Sequence, residues 1–280
     1  MNVKKDVFYY LVFGFLFLAI QADEIPFPKT IGKILIDENF TDGQTGPLVN
    51  RKFESRLLQL KQGFSGGKPD RFEMIKEGLG VTADAMSVGD EAHVVWKYGL
   101  KTSFSCHVAH FWIFPRGLDP NSGIQFGFFV DNKSEGEGKI FGINFLGFPQ
   151  KASIILNGAY KREDPKASRL LALNTPTEAE RQEPLMVTLV TDEEGGAACL
   201  INRKLKWKSD PTTSRNSDIV EQTRGKESGP SGLIITIHLK SNPIDTSEPL
   251  LIKGVRMEGL DGINMEDYLA KLNNEASPEL

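Results

Sequence analysis

The chain has 280 residues and a formal net charge of −4, with two cysteines and four histidines. Once a leader is removed, this length suits a single large β domain. The mildly acidic chain lacks the basic surface that nucleic-acid binding usually requires, so we expect no nucleic-acid partner. The few cysteines and histidines show no metal-ligand spacing, so we expect no metal site.

Residues 1–22 have the features of a signal peptide. Lys4 and Lys5 precede an apolar run over residues 7–20, and we predict cleavage after Ala22. The run is about 14 residues long, whereas spanning a bilayer takes roughly 20, so an uncleaved anchor is the less favoured alternative. We therefore expect a secreted or periplasmic protein with no membrane association after signal cleavage.

The rest of the chain is predicted to be almost entirely strand, in a sandwich domain over residues 23–260. The breaks between the apolar runs hold Gly, Pro, Asn, Asp and Ser, as hairpin and loop connections do. Several runs are apolar on both faces, which is typical of a strand whose second face is also covered. The predicted strands are 33–40, 71–84, 92–98, 102–114, 123–131, 138–147, 152–158, 184–192, 197–208, 231–240 and 249–260.

Three stretches depart from the strand pattern. Residues 174–183 predict one or two helical turns, and the polar loop 209–232 is either a lid or disordered. In the tail, 261–280, a helix is predicted over 264–276, and we expect it to dock on the body, with a partner-binding helix as the alternative. The apolar stripe of this helix consists of Met265, Tyr268, Leu269 and Leu272.

The two cysteines, Cys106 and Cys199, both fall in predicted strands. An oxidising compartment permits a disulfide between them. Two buried free thiols are the slightly favoured alternative, because both residues lie in strand-like runs.

Three segments together resemble the concanavalin A-like lectin/glucanase sandwiches. Residues 186–207, MVTLVTDEEGGAACLINRKLKW, have the form of strand, acidic-Gly turn, strand, Asn-containing turn and basic strand. Residues 231–240 and 249–260 look like the last two strands of such domains, and the resemblance implies that the first strand, ILIDENF, lies beside the last. We therefore expect an all-β fold, a two-sheet antiparallel β-sandwich of the concanavalin A-like jelly-roll kind, with a short C-terminal helix.

Shorter motifs are distantly similar to the 3-keto-disaccharide hydrolase family of secreted bacterial sandwiches. They are NSGI at 121–124, IHL at 237–239 and the ending GVRMEGL. This likeness implies a glycoside hydrolase-like enzyme as an alternative function. That family usually has an Arg three residues after the Ile of NSGI, where this chain has Gly127.

The sequence carries no clear catalytic motif. Glycosidases need two carboxyl groups about 5 Å or about 6.5–9.5 Å apart, and an E-x-D-x-E strand would supply them. No such run is present, and Glu135 and Glu137, which have the spacing, fit a solvated turn better. A G-x-S-x-G motif, a P-loop and a dinucleotide fingerprint are also absent from the sequence, so we expect no cofactor.

Sugar binding requires only a few polar groups on an apolar or aromatic wall. We predict that Gln125, Asn144 and His238 lie on one concave sheet and bind a glycan, with His110 and Trp112 as aromatic neighbours. Each residue also has an ordinary explanation, as a solvent-facing strand position or a structural histidine. The first function predicted is therefore a carbohydrate-associated domain, with a glycoside hydrolase-like enzyme or a ligand-free structural or interaction module as alternatives.

Overall fold

The computed structural model describes residues 27–48, 72–81, 91–97, 104–114, 123–132, 137–146, 151–156, 169–172, 184–209, 229–238 and 250–275. Within these ranges the chain forms mostly strands, with one α-helix near its end. The elements are β1 (Lys33–Asn39), β2 (Gly46–Pro47), β3 (Phe72–Ile75), β4 (Gly78–Val81), β5 (Glu91–Lys97), β6 (Cys106–Phe114), β7 (Gly123–Asn132), β8 (Glu137–Leu146), β9 (Lys151–Leu156), β10 (Arg169–Ala172), β11 (Leu185–Asp192), β12 (Ala197–Ile201), β13 (Lys204–Lys208), β14 (Gly232–His238), β15 (Leu251–Leu260) and α1 (Met265–Glu275).

Some predictions concern residues outside these ranges. They are the leader at 1–22, the helical turns at 174–183 and residues 210–228 of the polar loop. Among the described residues, no helix is both long and apolar enough to cross a membrane.

The strands form two antiparallel sheets. The nine-stranded sheet has the order β13-β12-β11-β6-β15-β4-β3-β2, and β1 pairs with β15. The six-stranded sheet has the order β10-β9-β8-β7-β14-β5. The predicted two-sheet antiparallel sandwich is therefore confirmed, including the pairing of the first strand with the last.

The main core lies between the two sheets and is formed by alternate residues of their central strands. Because successive side chains of a strand point to opposite faces, the residues between these core positions lie on the outer faces. Phe111 of β6 meets Phe126 of β7 across this core, with ring centroids 5.4 Å apart. The core positions of β7 and β14 are Ile124, Phe126, Phe128, Leu233, Ile235 and Ile237.

Helix α1 covers one end of the outer face of the nine-stranded sheet, so the expected docking of the C-terminal helix is confirmed. Its buried stripe of Met265, Tyr268, Leu269 and Leu272 packs on Cys106, Val108, Val190, Ala198, Leu200 and Leu260. Asn264 caps the helix, since the Asp267 N–H donates to Asn264 Oδ1 at 2.9 Å.

Asp192 fastens this helix to the sheet. Its buried carboxylate accepts the N–H of Met265 at 2.8 Å, in the first turn of α1, and the N–H groups of Glu194 at 3.1 Å and Gly196 at 2.6 Å. A negative charge at a helix N-terminus is favourable, because the backbone N–H groups there lack partners within the helix. Asp192 therefore joins the β11–β12 turn to the start of the helix.

Residues 27–32, the N-terminal strap, cross another part of the same outer face. The Phe27 ring lies 4.5 Å from the guanidinium carbon of Arg256 and 6.0 Å from the His110 ring, centroid to centroid. The N–H groups of Ile31 and Gly32 donate to Glu258 Oε2 at 3.0 and 3.2 Å. Helix α1 and the strap thus cover the part of this outer face formed by β6, β11, β12 and β15.

Cys106 and Cys199 are buried free thiols, which confirms the favoured of the two predictions, that they form no disulfide. Cys106 lies in the cluster beneath α1, whereas Cys199 lies in the core between the sheets. The two side chains are therefore on opposite faces of the nine-stranded sheet. Burial raises the pKa of the Cys199 thiol, which keeps it protonated.

Candidate ligand-binding face

The outer face of the six-stranded sheet carries a row of polar residues that crosses five neighbouring strands. Gln125 of β7 is the register partner of Asn144 on β8 and of Thr236 on β14. The row continues from Asn144 to Ser153 on β9 and from Thr236 to His93 on β5. We call these five positions the Gln125 row; it spans about 19 Å, because neighbouring strands lie about 4.8 Å apart.

The Gln125 row lies beside a buried apolar part of this face. Gln125 is half-buried, and Thr236 beside it is buried. On the side of the row away from His238, the face becomes apolar. There Val95, Phe129 and Ile234, which is two residues from Thr236 on β14, form a buried cluster. The apolar cluster is therefore not available for a ligand, whereas Gln125 keeps part of its surface exposed.

Two facing glycines lie between the row and the apolar cluster. Gly127 pairs with Gly142, one step from the Gln125–Asn144 pair. A Cβ on Gly142 would collide with the carbonyl oxygen of Phe126, so only glycine fits there. A strand glycine often marks a close approach of two backbones, and here the approach is between β7 and β8.

His238 lies at the polar end of the same face. It is two residues from Thr236 on β14, it pairs with Gly123 on β7, and it is half-buried. Gln125, Asn144 and His238 thus lie at register positions of a single face, as the sequence predicted. That they bind a ligand stays a prediction.

His110 and Trp112 lie elsewhere, so the prediction that all five residues share one site is wrong for these two. They belong to β6, which pairs with β11 and β15 in the nine-stranded sheet. Their side chains are on its outer face, 1 % and 9 % exposed, while Gln125 is on the opposite side of the sandwich. The physical reason is that the chain crosses from one sheet to the other between β6 and β7.

His110 has a structural setting. Its Nδ1 is 2.9 Å from the hydroxyl oxygen of Thr188, its register partner on β11. Burial, with smaller effects of the Arg256 and Arg203 charges, lowers the pKa of His110 to about 3. His110 is therefore neutral near pH 7, beneath Phe27.

Trp112 lies one row further along the same face. The Lys253 ammonium is 5.9 Å from the centroid of its ring, within the range of a cation–π contact. A tryptophan that is largely buried does not present an open ring face for a sugar. Trp112 therefore offers no stacking platform to a ligand on the six-stranded sheet.

Sequence reasoning missed three members of the Gln125 row: Ser153, Thr236 and His93. Each is a polar residue next to apolar residues in its strand, which by itself is ordinary. Their alignment depends on the register of four strand pairs, and a shift of one residue would move any of them to the other face. The alternation of strand residues puts Thr236 on the same face as His238, and this is the signal from which the sequence could have identified Thr236.

The acidic residues of this face do not form a catalytic pair. Among the described strands, Glu91 and Asp131 occupy outer-face register positions, opposite His238 and Gly138 respectively. They lie near opposite ends of the sheet, about 27 Å apart along the strand direction at about 3.4 Å per residue. Glycosidase carboxyl groups lie within about 10 Å of each other. The described residues also contain no group of three or more His, Cys, Asp or Glu side chains that could hold a metal ion.

Solved structures similar to this chain include glucanases, agarases and an O-glycanase. An endo-β-1,3-glucanase from Pyrococcus furiosus aligns with a TM-score of 0.56 and 11% identity, covering 82% of this chain and 96% of that one. A β-agarase A in complex with oligoagarose aligns with a TM-score of 0.55 and 12% identity, covering 85% and 98%. A structure described with endo-acting O-glycanases of the human gut microbiota that initiate mucin breakdown aligns with a TM-score of 0.54 and 13% identity, covering 82% and 100%.

The chain has the concanavalin A-like lectin/glucanase fold. At such low identity the likeness establishes the fold and not the activity. No protein-family model matches the chain, and no curated protein matches it.

Proposed function

We propose that this concanavalin A-like protein is a carbohydrate-binding domain that holds a glycan across the outer face of its six-stranded sheet. The observation that carries the proposal is the Gln125 row, in which five adjacent strands each contribute one hydrogen-bonding residue type at the same register. Amide, hydroxyl and imidazole groups both donate and accept hydrogen bonds, which suits the hydroxyl groups of a sugar. His238, at the polar end of the face, is proposed as a further contact.

Proteins of the same fold support this proposal, because their names refer to glycans. A β-agarase of this fold was solved with oligoagarose, and the glucanase and O-glycanase neighbours are named for glycans. A fold alone does not carry a function to a new chain. The proposal therefore depends on the Gln125 row, and the neighbours contribute the ligands to be tested first.

The predicted leader at 1–22 supports a location outside the cytoplasm, and we propose a secreted or periplasmic protein. A glycoside hydrolase-like enzyme, in the manner of the 3-keto-disaccharide hydrolases, is the second candidate. The absence of a close pair of carboxylates on the described part of this face favours binding over hydrolysis.

The test is binding of the mature chain, residues 23–280, to agaro-oligosaccharides, β-1,3-gluco-oligosaccharides and mucin O-glycans. Binding is measured by thermal shift and then by calorimetry. A ligand at a hundred times its dissociation constant stabilises a fold by about 2.7 kcal/mol, so weak binders register. Product release is monitored in the same samples by chromatography.

Three variants decide the result. Gln125→Ala and His238→Ala are expected to weaken binding at least tenfold, since each removes a hydrogen bond of about 1.4 kcal/mol. Glu73→Ala, on β3 of the other sheet, is the matched control and is expected to bind as the wild type does. Binding that survives both substitutions would locate the ligand elsewhere, and no binding to any glycan would favour the interaction-module alternative. Cleavage of a bound glycan would favour the enzyme.

A further inference from the structure

Glu258 is a charged group buried beneath the N-terminal strap. Its side chain is 1 % exposed, and its Oε2 accepts the N–H groups of Ile31 and Gly32 at 3.0 and 3.2 Å. Its Oε1 is also buried and has no hydrogen-bond partner in the described part of the chain. An ionised oxygen without a partner is costly to bury, whereas a neutral carboxyl group is less so.

The strap fits closely over this carboxyl group. A Cβ on Gly32 would collide with the carbonyl oxygen of Gly259 and would lie 2.8 Å from Leu260 Cγ, so the strap backbone lies directly against β15. Ile31 packs against the apolar cluster beneath helix α1. The docked strap therefore keeps water from Glu258, and a lifted strap would let water reach it.

We propose that Glu258 acts as a proton-sensitive clasp for the N-terminal strap: proton uptake by its carboxyl group tightens the strap on the nine-stranded sheet, and proton loss loosens it. The clasp is independent of the proposed glycan-binding function, because it lies on the opposite face of the sandwich from the Gln125 row.

The electrostatics of the site agree with this geometry. Burial raises the pKa of Glu258, and this effect exceeds the lowering by the N–H groups of Gly32 and Ile31 and by Arg256. When the strap lifts, hydration returns the pKa toward its ordinary value of 4.5. Because the pKa of Glu258 is higher when the strap is docked, the protonated carboxyl group stabilises docking fully at a pH below 4.5. This stabilisation is lost as the pH rises from 4.5 through the pKa of the docked state. Docking is therefore expected to weaken as the pH rises above about 4.5.

His110, beneath Phe27, acts in the opposite sense. The pKa of His110 is lowered to about 3 in the docked state. As the pH falls below 6.5, the ordinary pKa of histidine, protonation of His110 therefore favours the lifted strap. The remaining charged groups near the clasp alter the size of the effect but are present in every variant below. Besides Glu258 itself, the charged and titratable residues of the packed elements are Lys29 of the strap, Lys33, Asp37 and Glu38 of β1, Cys106, His107 and His110 of β6, Lys253 and Arg256 of β15, and Glu266, Asp267, Tyr268, Lys271 and Glu275 of α1.

The test is hydrogen exchange of the strap amides, measured by mass spectrometry from pH 4.5 to pH 8 and corrected for the intrinsic rate. Wild type is compared with Glu258→Gln, which mimics the neutral carboxyl group, and with Glu73→Gln as a matched control in the same sheet. Since His110 is present in all three, its contribution cancels in the ratio of wild-type to Glu258→Gln rates. The ratio of wild-type to Glu258→Gln exchange rates is expected to stay near one at pH 4.5 and to rise with pH. The total rise should be about tenfold for each pH unit by which docking raises the pKa of Glu258.

A ratio that does not change with pH would overturn the proposal. An equal pH dependence in the amides of β12 would also overturn it, because it would indicate global unfolding and not lifting of the strap. If Glu258→Gln does not fold, the variant His110→Asn gives a second measurement. With the opposing histidine removed, strap exchange should increase steadily from pH 4.5 upward. A flat profile in His110→Asn would also contradict the clasp.

Discussion

The two outer faces of this sandwich are built in opposite ways. Helix α1 and the N-terminal strap cover part of the outer face of the nine-stranded sheet, and several polar groups there have partners within the fold, although Glu258 Oε1 has none in the described part of the chain. His110 meets Thr188, Arg256 forms a two-point ion pair with Asp37 at 3.2 and 3.1 Å, and Asp192 accepts three N–H groups. On the six-stranded sheet, Gln125 in the polar row and His238 at the polar end of the face are half-buried.

This difference separates structural polar residues from candidate binding residues. A polar side chain that is buried and fully paired is costly to alter and has little left to offer a ligand. A half-buried residue at the edge of a face is cheap to alter and can exchange water for a sugar. Equal substitutions on the two faces should therefore differ in their effect on folding stability.

The largest effect is expected at Asp192. The change Asp192→Ala leaves the N–H groups of Glu194, Gly196 and Met265 without their acceptor, and should lower the free energy of unfolding by about 4 kcal/mol. Urea denaturation measures this loss. The exposed neighbour Glu193→Ala is the control and should stay within about 0.5 kcal/mol of wild type. A loss below about 1 kcal/mol for Asp192→Ala would mean that the helix is not fastened there.

The docking of helix α1 should account for the next largest effect. Leu272 is buried against the sheet, so Leu272→Ala should lower the free energy of unfolding by about 3 kcal/mol through lost burial and the cavity left behind. Lys271→Ala, on the exposed side of the same turn, should change it by less than about 0.5 kcal/mol. Equal denaturation midpoints for the two variants would contradict the docked position of the helix.

The burial of His110 should make the free energy of unfolding depend on pH in the acidic range. Burial lowers its pKa to about 3, so the unfolded chain binds a proton below the ordinary pKa of 6.5 while the folded protein does not. Stability should therefore fall with decreasing pH, and between pH 7 and pH 5 the wild type should lose about 2 kcal/mol more than His110→Asn. Denaturation curves of both proteins at the two pH values measure the difference. Parallel losses would show that His110 is accessible to protons in the folded state.

The smallest effect on stability is expected in the Gln125 row. Because Gln125 is only half-buried, Gln125→Ala should lower the free energy of unfolding by less than about 1 kcal/mol. The same urea titration, run beside Asp192→Ala, gives the contrast between the two faces. A loss as large as that of Asp192→Ala would make Gln125 a structural residue and would remove the basis for a binding role.

Much of the fold could be predicted from the sequence because it depends on local patterns. Alternation along residues 123–131 is enough to put Ile124, Phe126 and Phe128 on one face of a strand, and the apolar stripe of α1 predicts which side of the helix is docked. The form of the hairpin at 186–207 led to the correct architecture.

The candidate site was only partly predictable, because it depends on which strands become neighbours. The sequence predicted His110 and Trp112 as aromatic neighbours of Gln125, but it does not show in which sheet β6 and β7 lie. The fold separates the two strands into different sheets and places β14, more than a hundred residues later, beside β7. Register and sheet membership arise from long-range pairing, which alternation within one strand does not encode.

The position of the strap has a consequence for how this protein can be held on a surface. The described chain enters the body at Phe27, against Arg256 on the nine-stranded sheet, with the Gln125 row on the other side of the sandwich. A tag or tether joined ahead of Phe27 therefore attaches to the rear of the molecule. Immobilisation through the N-terminus should leave the Gln125 row turned toward solution, which makes it the orientation of choice for glycan arrays.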